Sequence, residues 1–339
     1  MRNVIKPAAL KPGNTIGIVS PAWFGGPTFV RRAERGIAEL ERLGYRVRVG
    51  RHAFENDGWV SASAEKRVAD IHEMFADEDV QAILATIGGD HSCQLLPHLD
   101  WDLIRQNPKI FMGFSDIAVL NNAIHHETGL VTFNGPSLMT DWAEFPEMPT
   151  FAQNNALGVL TRPEPFGRIG PAPSWTEEYL DWEIGQDETR PRARHQSTGW
   201  TWIREGVAEG PVMGGCLESL QHLRGTRWWP DLDGAILFLE TSEERPSPAK
   251  VDGLLMDLEN MGALSKLVGM IVARPYKYSD SDRLLLHDVI RNRTREWSFP
   301  VLADVDAGHT SPIVTMPIGC KVRLDSSFEG FEILEAAVQ

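Results

Sequence analysis

Apolar and polar positions along the first third of the chain alternate between two rhythms. Residues 15–20 (TIGIVS) are a short apolar, β-branched run stopped by Pro21. A turn at Gly25-Gly26-Pro27 then leads into helical spacing over about 29–43. Gly44 ends that helix, 45–49 (YRVRV) alternates like a strand, and 63–75 (SAEKRVADIHEMF) returns to helical spacing. The same unit continues with a buried-strand candidate at 80–87 ending in Gly88-Gly89-Asp90. Another at 109–114 (KIFMGF) leads into a helix at about 117–126. Strands alternating with helices predict an α/β fold with a doubly wound, mostly parallel sheet, and ligands of such sheets bind beyond the carboxyl ends of the strands. Both Gly88-Gly89-Asp90 and Ser115 stand at such ends.

Between 162 and 210 the periodicity disappears. Pro163, Pro165, Pro171, Pro173 and Pro191 are interspersed with Trp175, Trp182, Trp200 and Trp202, which predicts a linker and a long loop. Its tryptophans serve either satellite packing or a stacking surface for a flat ligand. Beyond it, apolar runs at 235–239 (AILFL) and 267–273 flank a helix near 248–261, and 300–305, 320–324 and 331–334 are strand-like. The expected organisation is an N-terminal Rossmann- or flavodoxin-like domain over 1–165, a linker and substrate loop over 166–209, and a mixed α/β domain over 210–339. No internal repeat is visible.

Composition narrows the function classes. With 33 Lys+Arg against 47 Asp+Glu the formal charge is −14, which disfavours nucleic acid polymers and anionic lipid surfaces as partners. The apolar runs are far shorter than the roughly 20 residues needed to cross a bilayer. Residues 1–10 lack a secretory pattern, so a cytoplasmic enzyme is expected. Three separated cysteines, Cys93, Cys216 and Cys320, suit neither a disulfide framework nor a paired metal site. No HExxH and no phosphate-loop motif is present, so no metal and no cofactor is expected.

The residues that suggest chemistry are a serine, a histidine and a glutamate. Ser115 in Gly113-Phe114-Ser115-Asp116 lies at a strand-to-helix turn. There it reads either as a nucleophile raised above the sheet edge or as an ordinary helix cap. Among ten histidines, His309 occupies a short polar turn, Asp306-Ala307-Gly308-His309-Thr310-Ser311-Pro312, after a strand-like run. Glu240 closes the apolar run 235–239, where a carboxylate either orients an imidazole or is a solvated strand-end acid beside Glu243 and Glu244.

Taken together, several ordered segments resemble the LD-carboxypeptidase family of serine peptidases, and most closely its microcin C self-immunity branch. They are 11–17 (KPGNTIG), 86–90 (TIGGD), 107–116 (NPKIFMGFSD), 129–136 (GLVTFNGP), 212–215 (VMGG), 235–240, Gly308-His309 and 316–319 (MPIG). The resemblance implies a triad of Ser115, His309 and Glu240, with the serine in one domain and its partners in the other. It further implies an oxyanion hole from the backbone N–H groups of Gly89 and Asp116, a homodimer, and a small-molecule substrate. That substrate is an aminoacyl or peptidyl nucleotide in the immunity branch and a murein tetrapeptide in the carboxypeptidases proper. Asp90 and the 175–202 segment point to the first group, with Trp182 placed to stack on a nucleobase. Where branch members that accept an acidic aminoacyl group have asparagine and lysine, this chain has Glu218 and Glu244, which implies a neutral or basic aminoacyl group instead. A non-catalytic nucleotide or peptide receptor is the third reading, since fold alone does not imply chemistry.

Overall fold

The computed structural model describes residues 3–339; the first two residues of the 1–10 segment lie outside them. The N-terminal half carries strands β1 (Thr15–Val19), β2 (Arg46–Val49), β3 (Val80–Ala85), β4 (Ile110–Gly113) and β5 (Thr132–Asn134). These pair in parallel in the spatial order β5-β4-β3-β1-β2. β1 and β4 are buried along their whole length and β3 at all but one position, which is why they read as continuous apolar runs. The helices Val30–Arg42, Ala64–Ala76 and Ile117–Thr128 make the crossovers. The Ser63 hydroxyl caps the second of them.

The C-terminal half forms a curled eight-stranded sheet in the order β6-β16-β15-β10-β11-β12-β13-β9. Its strands are β6 (Gly167–Ile169), β9 (Thr201–Arg204), β10 (Val207–Cys216), β11 (Ile236–Glu240), β12 (Gly269–Ala273), β13 (Val301–Val305), β15 (Lys321–Asp325) and β16 (Phe331–Ile333). β7 (Ser174–Trp175) and β8 (His195–Gln196) make a separate two-stranded ribbon, and β14 is Met316–Ile318. The central strands β10 to β13 are parallel, and both flanks are antiparallel. Helices Pro248–Asn260 and Asp280–Arg293 pack beside this sheet, capped by Ser247 and Ser279.

Two features depart from the organisation read in the sequence. The segment expected to be a linker and substrate loop supplies both edge strands of the C-terminal sheet, β6 and β9, each too short to show a period. β14, from the second half, leaves its own sheet and pairs antiparallel with β5 at the edge of the first. The halves are also joined by Asn122, whose amide donates to Gly214 O at 2.8 Å and accepts from Gly214 N at 3.1 Å. One hydrophobic cluster runs through both sheets. Among the described residues, no helix is long and apolar enough to cross a membrane.

Candidate active site

The turn between β4 and the helix Ile117–Thr128 holds Ser115 at φ +61°, a left-handed conformation that costs a non-glycine residue energy and is characteristic of strand-to-helix elbows. The helix cap falls instead on Asp116, without a side-chain capping bond, so the capping alternative for Ser115 is not what the structure holds. Asp116 is buried, and burial pushes its carboxyl up. Its Oδ2 accepts from Ser92 N at 2.7 Å while its carbonyl accepts from Ser92 Oγ at 2.8 Å, which fixes the turn from below. Gly88 must approach closely here, because a Cβ at that position would lie 2.7 Å from Ser115 Cβ.

The opposite wall comes from the ends of β11 and β13. His309 Nε2 is 3.1 Å from Ser115 Oγ, and Nδ1 is 2.6 Å from Oε2 of Glu240, the last residue of β11 and 1 % exposed. Gly308, at φ +73°, makes this approach feasible, since a Cβ there would lie 2.3 Å from Glu240 Oε2. The ring edge of His309 meets Phe114 at 5.2 Å between centroids. The polar turn is anchored behind His309 by buried Asp306, which accepts from Ala172 N at 2.8 Å, Trp200 Nε1 at 2.9 Å and Arg274 at 3.0 Å.

A second carboxylate reaches the same imidazole: Glu243 Oε2 lies 2.8 Å from His309 Nε2. Burial disfavours the charged ring, but the charges and hydrogen bonds of Glu240 and Glu243 outweigh it and hold His309 well above its ordinary value. Partial desolvation opposes the charge on Glu243, whose side chain is 61 % exposed, yet the hydrogen bond and charge of His309 take its carboxyl down to about 2. The sequence offered Glu243 only as an acidic neighbour of Glu240, because its role depends on how the loop after β11 folds.

These groups open onto a cavity of about 420 Å³, within the range of small-molecule sites. Gly89, exposed Asp90, Ser115, Trp182, Glu243 and His309 are among its lining residues. Among the described residues, neither the Gly89 nor the Asp116 N–H is engaged by a backbone acceptor. Trp182 packs edge-on against Phe29 at 5.4 Å, and the Arg32 guanidinium lies 4.0 Å from its ring centre. Trp175 instead packs between Arg274 and His195, outside the lining.

Sequence reasoning missed the polar clamps of this cavity. Buried Asp187 pairs with Arg32 at 2.5 Å and with Arg35, tying the Trp182 loop to the helix Val30–Arg42. Arg192 pairs with Glu144. Because these pairs span long sequence separations, no local pattern announces them.

Two expected substrate contacts lie outside the cavity lining. Glu218 is one, its Oε1 accepting from Ser242 N at 3.0 Å and from Ser242 Oγ at 2.7 Å. Glu244 is exposed and also outside the lining, with its N–H directed to Ser242 Oγ at 3.3 Å. The acidic group that faces the cavity from this loop is Glu243.

Comparison with known proteins follows the same two halves. Residues 16–135 match the LD-carboxypeptidase N-terminal domain and residues 209–324 the LD-carboxypeptidase C-terminal domain. The carboxypeptidase-named YocD of Bacillus subtilis is 36 % identical, covering 94 % of this chain and 95 % of its own length. Microcin C7 self-immunity protein MccF of Escherichia coli is 31 % identical over 97 % of this chain and 95 % of its own. A protein of Bacillus subtilis named "Probable murein peptide carboxypeptidase" is 31 % identical, covering 98 % of this chain and 95 % of its own. A solved structure of MccF in complex with aspartyl sulfamoyl adenosine superimposes with a TM-score of 0.90 at 30 % identity, covering 99 % of this chain and 100 % of that one.

Proposed function

The chain belongs to the LD-carboxypeptidase family of serine peptidases, and we propose that it hydrolyses the amide or acyl bond of aminoacyl or peptidyl nucleotide conjugates with Ser115, His309 and Glu240 as its catalytic triad. The observation that carries this reading is the continuous contact from Ser115 Oγ to His309 Nε2 at 3.1 Å and from Nδ1 to buried Glu240 at 2.6 Å. Trp182 in the cavity lining supports a flat base at the far end of the substrate. The fold likeness to MccF bound to aspartyl sulfamoyl adenosine supports the nucleotide class.

In this mechanism Ser115 Oγ attacks the scissile carbonyl as its proton passes to His309 Nε2. Glu240 stabilises the resulting imidazolium, and the N–H groups of Gly89 and Asp116 receive the oxyanion. His309 then protonates the leaving nitrogen, and water releases the acyl group from Ser115 by the same steps in reverse. The same reading makes the protein a cytoplasmic homodimer, which cell fractionation and analytical ultracentrifugation test.

Mass spectrometry of reactions with a panel of aminoacyl sulfamoyl adenosines and with murein tetrapeptide tests the substrate. The expected outcome is release of the free amino acid from the nucleoside conjugates, abolished in Ser115→Ala. Turnover of murein tetrapeptide alone would replace the nucleotide reading with the carboxypeptidase one, in keeping with the murein-named relative. No Ser115-dependent turnover of either class would overturn both.

A further inference from the structure

His309 is flanked by two carboxylates. Nδ1 faces Glu240 at 2.6 Å and Nε2 faces Glu243 at 2.8 Å, closer than Ser115 Oγ at 3.1 Å. Nε2 hydrogen-bonds Ser115 Oγ, and two carboxylates this close to the ring favour its doubly protonated form, an imidazolium. An imidazolium has no lone pair for the Ser115 proton. Proton transfer from Ser115 is therefore disfavoured until Glu243 moves off the ring.

Glu243 is built to leave. Its side chain is 61 % exposed, whereas those of His309 and Glu240 are 9 % and 1 % exposed. It sits in the loop between β11 and the helix Pro248–Asn260, and among the described residues its carboxylate pairs with His309 and no other side chain. The cavity's own cations are committed elsewhere, Arg32 to Asp187 and Arg192 to Glu144. Asp90 adds another acid to the lining. Among the described residues the cavity therefore lacks a free cation for Glu243, and an ammonium brought in by the substrate would supply one.

We propose that Glu243 is a specificity-determining residue that reads an ammonium group on the acyl part of the substrate. Pairing with this ammonium draws the carboxylate off His309 and frees the imidazole for Ser115. The nearest such cation is the α-ammonium of an aminoacyl group, attached one carbon from the carbonyl that Ser115 attacks. A basic side chain offers the same chemistry from farther away. The inference rests on the acyl-transfer reading above. Glu240 and Glu243 face the imidazole from the end of β11, with Glu218 and Cys216 behind Glu240. Asp116 lies beneath Ser115, and Asp90 and Tyr276 face the cavity from the remaining walls.

Two measurements on the parent, Glu243→Gln and Glu243→Asp test it, with thermal melts to verify folding. The first is kcat/KM for norleucyl, N-acetylnorleucyl and N-acetyllysyl sulfamoyl adenosine. The parent should favour the free α-ammonium over its acetylated form by about fivefold, the scale of a solvent-screened ion pair. Glu243→Gln should erase that preference and Glu243→Asp restore part of it. Recovery with N-acetyllysyl would assign the reading to a side-chain ammonium. The second is the pH dependence of Ser115 labelling by an uncharged fluorophosphonate, whose acid limb should move down by about one pH unit in Glu243→Gln. An unchanged preference, or an unmoved acid limb, in a folded and labelled Glu243→Gln overturns the proposal while sparing the acyl-transfer reading. Absence of Ser115-dependent labelling in both the parent and a folded Glu243→Gln at every pH overturns that reading first, and the proposal with it.

Discussion

Glu240→Gln isolates what the carboxylate behind His309 contributes. The substitution preserves shape, and Glu240 is 1 % exposed with Oε2 2.6 Å from Nδ1. Either orientation of the new amide is costly. With its nitrogen toward Nδ1, the amide donates, so the single proton of the neutral ring sits on Nε2 and faces Ser115 and Glu243, the wrong tautomer for a base. With its oxygen toward Nδ1 the tautomer is right, but the buried charge behind the imidazolium is lost and only the exposed Glu243 is left to balance it. The same carboxylate-to-amide change in a serine triad costs on the order of 10⁴ in rate, about 5 kcal/mol of barrier. The fold should tolerate the change, because the other carboxylate oxygen, Oε1, is buried without a partner. The assay is the rate of fluorophosphonate labelling at Ser115, paired with a thermal melt. A labelling rate within tenfold of the parent, in a folded variant, would refute the reasoning.

The remaining predictions use the same geometry. His309 titrates well above its ordinary value in the folded protein, so Ser115 labelling should switch on with rising pH at a midpoint above 6.5, measured by a pH series. A raised native value means that the stability contributed by its ion pairs is complete below about 6.5 and fades as pH climbs through that native value; urea melts across the same window should show the loss. Asp187→Asn removes the charge shared by Arg32 and Arg35. It should raise KM more than it lowers kcat and expose the Trp182 loop to limited proteolysis; unchanged cleavage would refute a clamping role. Asn122→Ala strands the N–H and C=O of Gly214. Each buried orphan costs about 1–3 kcal/mol, to be read as a lower urea midpoint.

The parallel strands were legible because β1, β3, β4, β11 and β12 are almost wholly buried, so burial leaves an uninterrupted apolar signature. β14 left none, being three residues with Pro317 at its centre, tolerated because it occupies a sheet edge. The helix Asp280–Arg293 was missed because exposed Leu284 and Leu285 sit beside the buried Leu286 and Ile290 and blur the stripe. Ser115, His309 and Glu240 were found through the order of matching segments, since each alone had an adequate structural explanation. Glu243 and Asp187 went unread for a different reason. A carboxylate's meaning depends on which cation the tertiary fold brings to it, and neither His309 nor Arg32 is near in sequence.

The excursion of β14 bears on more than topology. His309 lies on the stretch that leaves β13 in the second sheet and arrives at β14 in the first, so the imidazole hangs on a bridge moored to both banks. Any shearing of one sheet against the other would pull on that span together with the core the two sheets share. The two halves are thus not interchangeable cassettes. A hybrid made by exchanging halves between relatives would have to match the β5–β14 seam as well as the residues around Ser115, or the span would deliver its histidine to the wrong place.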